Sequence, residues 1–287
     1  MTLAEFTEDA LKRITPVCAD SREAQNILTL LLEELINLNK TQQKMLAEKE
    51  LSGAELDKLS QAVQRLQSGE PIQYVSGMAD FFGMQFKVSP NVLIPRPETE
   101  ELVGLVLKTL QPVSKQRHLR IIDIGTGSGC IAITLKKKLP DTEILAMDKS
   151  EEALEIAIAN DARLYAGADF LHCDFLDGRS WQSLGIFDAI VSNPPYVTRL
   201  EFPLLMQRVR DFEPRQALIA DSEDDFIFYR KIADFGIKHL KSDGFIFTEL
   251  NSAHAGEIAS IFKRNGYRNA LLIKDLQGNE RILEARK

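Results

Sequence analysis

Residues 119–129, with the sequence Leu-Arg-Ile-Ile-Asp-Ile-Gly-Thr-Gly-Ser-Gly, decide the fold of this chain. An apolar run leads directly into three glycines, and a helical pattern follows them. Glycine lets the backbone turn sharply and approach a ligand closely, and a helix that starts at such a turn presents free N–H groups. The stretch therefore predicts a buried strand, a ligand-binding turn and a helix.

The chain beyond this turn alternates between strand and helix patterns. Further apolar runs occur at residues 143–147, 168–172, 187–192 and 244–250. Helical patterns separate them at residues 151–165, 223–240 and 254–264. This alternation predicts an α/β domain with a doubly wound, mostly parallel sheet and helices on both faces. Residues 271–276 and 281–285 flank Gly278 and Asn279 without a helix between them, which predicts an antiparallel edge.

The chain divides into three parts by pattern. Residues 1–71 show apolar residues at helical spacing and predict a small N-terminal helical bundle. Residues 72–97 contain alternating apolar and polar residues and predict a β-hairpin linker. Residues 98–287 form the predicted α/β domain. Two capping boxes mark helix starts in the bundle: Thr2 with Glu5, and Ser52 with Glu55.

Composition excludes several classes of protein. The 287 residues carry a formal net charge of −7, which argues against nucleic acid as a direct substrate. Three scattered cysteines and four histidines lack ligand spacing, so we expect neither a disulfide framework nor a metal site. The first residues are acidic and no apolar stretch reaches membrane length, so we expect a cytoplasmic protein without a membrane partner.

The glycine spacing and its flanking acids indicate a nucleoside cofactor. The glycines follow Gly-x-Gly-x-Gly spacing, and Asp148 ends the next strand, where a carboxylate can bind ribose hydroxyls. With Asp123 ahead of it, the loop resembles the first motif of class I S-adenosylmethionine-dependent methyltransferases. Asp174 and Phe175 follow the third strand and are expected beside the adenine. The predicted cofactor-binding residues are Asp123, Gly125, Thr126, Gly127, Ser128, Gly129, Asp148, Asp174, Phe175 and Asn193.

Asn193-Pro194-Pro195-Tyr196, after the fourth strand, is the second informative stretch. The prolines stiffen the backbone and leave carbonyls that can only accept hydrogen bonds. A planar NH₂ group would donate to the Asn193 side-chain oxygen and the Pro194 carbonyl, with its plane stacked on Tyr196. We therefore predict Asn193, Pro194 and Tyr196 as catalytic residues, and all four as substrate-binding residues.

An amide nitrogen is a poor nucleophile because its lone pair is delocalised. Accepting both of its hydrogens while holding it in line with the methyl group favours the pyramidal transition state. Catalysis then consists of orientation and fixed dipoles, without a dedicated base.

Taken together, these motifs resemble the protein-(glutamine-N5) methyltransferases of the HemK/PrmC type, which modify peptide-chain release factors. The resemblance covers nearly the full length. The segments that carry it are the helical domain, Ile94-Pro-Arg-Pro-Glu-Thr-Glu100, Asp123-Ile-Gly-Thr-Gly-Ser-Gly129, Ser192-Asn-Pro-Pro-Tyr196 and Glu213-Pro-Arg-Gln-Ala-Leu218.

The resemblance implies a class I methyltransferase fold and methyl transfer to the glutamine of a Gly-Gly-Gln motif. S-adenosylmethionine would be the cofactor and S-adenosylhomocysteine the product, with no metal. Release factors would be the partners, and the helical domain would be their docking surface or a stabilising cap. We also expect the protein to be a monomer.

The chain departs from the family pattern in two places. Residues 220–225, Ala-Asp-Ser-Glu-Asp-Asp, stand where Gly-Gly and Asp-Gly are common, and Glu249-Leu250-Asn251 stands where Glu-x-Gly is usual. Both departures concern loop conformation near the pocket more than the type of reaction.

Three alternative functions remain open from sequence. A DNA adenine-N6 methyltransferase would use the same tetrapeptide, but the net charge and the acidic residues 221–225 argue against it. A ribosomal-protein glutamine methyltransferase shares every catalytic motif. A non-catalytic cofactor-binding scaffold would be expected to lack Asn193 or Tyr196, and both are present.

Overall fold

The structure is a computed structural model that describes residues 1–287. The chain forms two compact units. One comprises Met1–Met78 with Met206–Phe212, and the other comprises Ala79–Leu205 with Glu213–Lys287. None of the helices combines the length and the apolar character that crossing a membrane requires.

The first unit is helical. Its helices are α1 (Leu3–Ile14), α2 (Ser21–Ile36), α3 (Lys40–Met45), α4 (Gly53–Gln67), α5 (Ile72–Ser76) and, from the later segment, α9 (Gln207–Phe212). Both predicted capping boxes are confirmed, at the starts of α1 and α4. The apolar faces of α1, α2 and α4 pack into one core that includes Phe6, Leu31 and Val63. Burial of these faces outweighs the cost of ordering short helices.

The short helices α3 and α5 are not expected from sequence. Helix α3 lacks an apolar period and is held at its start by the Asn39 side chain, which accepts from the backbone N–H groups of Thr41 and Gln42. Helix α5 occupies residues assigned to the hairpin linker, and it ends at Gly77 in the left-handed conformation (φ 76°). The hairpin strands themselves are β1 (Met78–Phe81) and β2 (Met84–Lys87).

The second unit contains a seven-stranded sheet in the order β5-β4-β3-β6-β7-β9-β8. Its strands are β3 (Arg120–Ile124), β4 (Glu143–Asp148), β5 (Asp169–His172), β6 (Phe187–Ser192), β7 (Leu240–Glu249), β8 (Arg268–Lys274) and β9 (Glu280–Arg286). Strands β3 to β7 pair in parallel, whereas β9 is antiparallel to both β7 and β8. The prediction of a mostly parallel sheet with an antiparallel edge is confirmed.

Helices flank the sheet and bury its two faces in separate cores. They are α6 (Pro97–Ser114), α7 (Cys130–Lys138), α8 (Glu151–Leu164), α11 (Ile227–His239) and α12 (Ala255–Arg264). The same unit also contains the short helix α10 (Arg215–Leu218). Alternation along β3 divides its side chains, with Ile121 in one core and Ile122 in the other. Because β3 pairs in parallel with β4 and with β6, the carboxyl ends of these three strands lie at the same edge of the sheet, where α/β domains bind ligands.

Candidate active site

The glycine loop follows β3 and is tied to the neighbouring strand. The backbone N–H groups of Gly125 and Thr126 donate to the Met147 carbonyl at 2.9 and 3.0 Å. Gly125 and Gly127 have φ values of 74° and 54°, and a Cβ atom added at either would lie in open space. These two glycines therefore leave the loop surface free for a ligand. Gly129 (φ 81°) differs, because a Cβ there would lie 2.8 Å from Ile133 Cδ1.

Two carboxylates flank this loop. Asp123 is fully buried, and its Oδ2 accepts from Thr126 Oγ1 at 2.6 Å while its Oδ1 has no partner. Burial raises the pKa of Asp123 to about 7. Asp148 accepts from the backbone N–H groups of Gly127 (2.9 Å) and Ser150 (3.0 Å), so this carboxylate is held in place at the end of β4.

A cavity lies against the glycine loop at this edge of the sheet. It brings together most of the predicted cofactor residues: Gly125, Thr126, Gly127, Ser128, Asp148, Asp174, Phe175 and Asn193. Pro195 also lines it, whereas Asp123, Gly129, Pro194 and Tyr196 are not among its lining residues. Phe175 is buried and stacks on Trp181, with ring centroids 5.3 Å apart.

The Asn-Pro-Pro-Tyr loop follows β6, beside the glycine loop. Ser192 Oγ donates to the Ile124 carbonyl at 2.7 Å and links the ends of the two strands. Asn193 Nδ2 donates to Thr99 Oγ1 at 3.0 Å, whereas Asn193 Oδ1 is buried without a partner. Nearly all buried polar atoms in native proteins are paired, so this unpaired acceptor indicates a place for a donor from a ligand.

Tyr196, at the end of the same loop, points its hydroxyl at a buried acid. Tyr196 Oη donates to Glu249 Oε1 at 3.1 Å, and burial raises the Tyr196 pKa. Glu249 Oε2 accepts from Thr99 Oγ1 at 2.7 Å. Thr99 lies in a segment that carries the family resemblance, and Glu249 lies at one of the departures from it. The sequence predicts no role for either, because only the fold brings them together.

A second buried acid, Glu213, joins two of the segments that carry the family resemblance. Glu213, buried, forms an ion pair with Arg96 and accepts from the Ile94 backbone N–H at 3.3 Å. Both segments contribute to the cavity wall, through Arg96 and Gln216 among others.

Asn251 stands at one of the departures from the family pattern. Its Nδ2 donates to both carboxylate oxygens of Glu201, at 2.9 and 3.0 Å, and its Oδ1 accepts from the Ala253 backbone N–H. A side chain therefore holds this loop where the family pattern has glycine.

The fold and the glycine-lined cavity define a methyltransferase of the class I fold. A model of the methyltransferase small domain matches residues 103–209, and one of the PrmC N-terminal domain matches residues 9–77. A solved methyltransferase from Pyrococcus furiosus shares the fold, with a TM-score of 0.52 at 21% identity over 72% of this chain and 90% of that one.

Curated relatives narrow this class further. A release factor glutamine methyltransferase from Bacteroides thetaiotaomicron is 44% identical over 83% of each chain. One from Koribacter versatilis is 38% identical over 100% of this chain and 99% of its own. The chain belongs to the release factor glutamine methyltransferase family.

Proposed function

We propose that the protein transfers the methyl group of S-adenosylmethionine to the side-chain nitrogen (N5) of the glutamine in the Gly-Gly-Gln motif of class-1 release factors. Family membership supports this substrate. The structural observation that carries the proposal is the buried, unpartnered Oδ1 of Asn193 beside a glycine-lined cavity. Because translation termination takes place in the cytoplasm, we also propose that the enzyme acts there.

The residues present fit S-adenosylmethionine. Gly125 and Gly127 leave space that a Cβ would fill, and Asp148 offers a fixed carboxylate for the ribose hydroxyls. Asp174 and Phe175 would border the adenine. Asp123 would hold the glycine loop by accepting a hydrogen bond from the Thr126 hydroxyl. When bound, S-adenosylmethionine supplies a methyl group on a positively charged sulfur; the glutamine nitrogen gains this methyl and releases a proton, leaving S-adenosylhomocysteine.

The residues of the Asn-Pro-Pro-Tyr loop would orient the amide group of the substrate. Asn193 Oδ1 would accept one amide hydrogen and the Pro194 carbonyl the other, which fixes the nitrogen toward the methyl group. The Tyr196 ring, anchored through its hydroxyl by Glu249, would stack on the amide plane. Fixed acceptors of this kind cost no reorganisation at the moment of reaction.

Tritiated methyl transfer tests this function with three substrates side by side. We expect label on an intact release factor, and none on the same factor with its Gly-Gly-Gln glutamine changed to alanine or on duplex DNA. Label on DNA alone, or equal label on the intact and the altered factor, would overturn the proposed substrate.

We further propose that the helical unit docks the release factor. It matches the PrmC N-terminal domain and has a groove between α1, α2 and α3, lined in part by Arg22 and Lys44. Arg22→Glu should raise the KM for the intact factor but not for a short Gly-Gly-Gln peptide. Lys263→Glu, the same charge change on α12, should alter neither, and equal effects of both variants would contradict the docking role.

A further inference from the structure

We propose that Thr99 and Glu249 are positioning residues that fix the direction in which the Asn193 amide faces, and that they thereby make the pocket accept an amide rather than a carboxylate. This inference rests on the proposed function and extends it to the basis of substrate selection. It is carried by three connected hydrogen bonds, one buried and two partly buried, between side chains of α6, β7 and the Asn-Pro-Pro-Tyr loop.

The chain of hydrogen bonds begins at Glu249. An ionised carboxylate only accepts hydrogen bonds, and each oxygen of Glu249 receives one hydroxyl, from Thr99 at 2.7 Å and from Tyr196 at 3.1 Å. Burial raises the pKa of Glu249, and these two hydroxyls with the charge of Arg281 oppose that rise. The two hydroxyl donors and Arg281 favour the ionised, accepting form of Glu249, whereas burial favours the protonated form.

The Thr99 hydroxyl determines which group of the Asn193 amide faces it. A threonine hydroxyl has a single proton, and Thr99 gives it to Glu249. Its oxygen can then only accept from Asn193, so the Asn193 side chain must turn its NH₂ group to Thr99, at 3.0 Å. Rotating this amide by half a turn would set two oxygens against each other without a proton between them.

With its NH₂ group bonded to Thr99, the Asn193 amide presents its oxygen on the opposite side. Its Oδ1 is left buried and unpartnered. Leaving a buried acceptor unpaired costs free energy, which a donor from the substrate would recover. A glutamine side chain offers an NH₂ donor, whereas an ionised glutamate of the same shape offers only oxygens. Sites built to hydrogen-bond one group reject an analogue that lacks it by large factors.

Glu249→Gln changes this direction without changing the shape. A glutamine at this position can donate to Thr99, which frees the threonine proton for Asn193 and favours the rotated amide. Thr99→Val removes the relay with almost no change in volume, and Thr99→Ser restores the hydroxyl. Glu284→Gln, the same chemical change on β9, is the matched control.

The test compares dissociation constants of a Gly-Gly-Gln peptide and a Gly-Gly-Glu peptide for each variant, with methyl transfer measured in parallel. Wild-type enzyme should prefer the glutamine peptide. In Glu249→Gln and Thr99→Val we expect this preference to fall at least about tenfold and kcat about 100-fold, with cofactor affinity changed less than about threefold. Thr99→Ser should recover most of the preference, and Glu284→Gln should keep it. An unchanged preference in both Glu249→Gln and Thr99→Val would overturn the proposal.

A substrate-free measurement separates this inference from the proposed function. Hydrogen exchange of the Asn193 side-chain NH₂ group, followed by ¹⁵N nuclear magnetic resonance, should be slow in the wild type and faster in Thr99→Val and Glu249→Gln. Equal exchange in all three proteins would refute the relay. Slow exchange with the expected variant response, but no transfer to release factor, would refute the proposed substrate alone.

Discussion

The glycine loop and the Asn-Pro-Pro-Tyr loop end neighbouring strands, β3 and β6, yet they are stabilised by different kinds of contacts. The glycine loop is held through its own backbone, with positive φ values at Gly125 and Gly127 and donors to the Met147 carbonyl. The Asn-Pro-Pro-Tyr loop depends on side chains from distant segments: Thr99 lies 94 residues from Asn193, and Glu249 lies 150 residues from Thr99. The glycine loop leaves open space for a ligand, whereas the Asn-Pro-Pro-Tyr loop presents the Asn193 side-chain oxygen as a hydrogen-bond acceptor in a fixed direction.

This difference predicts how each loop fails. Substitutions in the glycine loop should affect cofactor affinity and stability. Substitutions in the Asn-Pro-Pro-Tyr loop and its network should affect transfer while cofactor binding persists.

Asn193→Ala gives the sharpest separation and the largest expected effect. It removes the acceptor for the amide, so we expect kcat to fall about 100- to 1000-fold, as for loss of one preorganised polar group. Cofactor affinity should change far less. A turnover assay with a calorimetric titration measures both quantities, and equal losses in the two would contradict the division between the loops.

Asp123→Asn tests whether the buried carboxyl beside the glycine loop makes the stability of the protein depend on pH. The pKa of Asp123 is about 7 in the folded protein, compared with 3.8 as its ordinary value. The folded state therefore binds this proton more tightly, and the stability it contributes is lost as pH rises from about 4 to 7. The variant lacks this loss, so its free energy of unfolding relative to the wild type should increase over that range by roughly 3–4 kcal/mol. Urea unfolding at several pH values measures this difference, and parallel pH profiles of the two proteins would argue against a buried, titrating Asp123.

Gly129→Ala and Gly127→Ala distinguish two roles within the glycine loop. Alanine at 129 would meet Ile133 and Ala157, and it would also adopt an unfavourable left-handed conformation. We expect Gly129→Ala to cost about 2–4 kcal/mol of stability. Gly127→Ala meets no atom of the protein and should cost about 1–2 kcal/mol, with a clear loss of cofactor affinity. Thermal unfolding of the two variants compares their stabilities. A lower stability of Gly127→Ala than of Gly129→Ala would contradict the two roles assigned to these glycines.

Asp148→Ala should have a small effect, confined to cofactor affinity. Loss of the ribose contacts should weaken cofactor affinity about tenfold, equivalent to ~1.4 kcal/mol, with transfer largely recovered at saturating cofactor. Isothermal titration measures this affinity. An unchanged dissociation constant would remove Asp148 from the cofactor site.

The same contrast explains what could be predicted from sequence. The strands and the glycine loop are encoded locally, in apolar runs and glycine spacing, and the strand predictions are confirmed by β3 to β7. Helices α3 and α5 were missed because they are short and depend on a cap or on surrounding packing rather than on an apolar period.

In the candidate site, the sequence identifies Asn193 and Tyr196 by their motif but does not show what orients them. Thr99 lies at the start of α6 and Glu249 at the end of β7, and only the completed sheet brings both to the Asn-Pro-Pro-Tyr loop. Contacts across such separations leave no local pattern. The unpaired Oδ1 of Asn193 likewise becomes visible only when the partners of its Nδ2 are known.

The central claim is that this site directs a methyl group to the nitrogen of a side-chain amide. Mass-spectrometric localisation of the methyl on a release factor treated with the enzyme and S-adenosylmethionine tests it most directly. We predict a single methyl on the side-chain nitrogen of the Gly-Gly-Gln glutamine with wild-type enzyme, and at least about 100-fold less of this product from Asn193→Ala in the same reaction time. A methyl on any other residue of the factor, or an unchanged product with Asn193→Ala, would contradict the account.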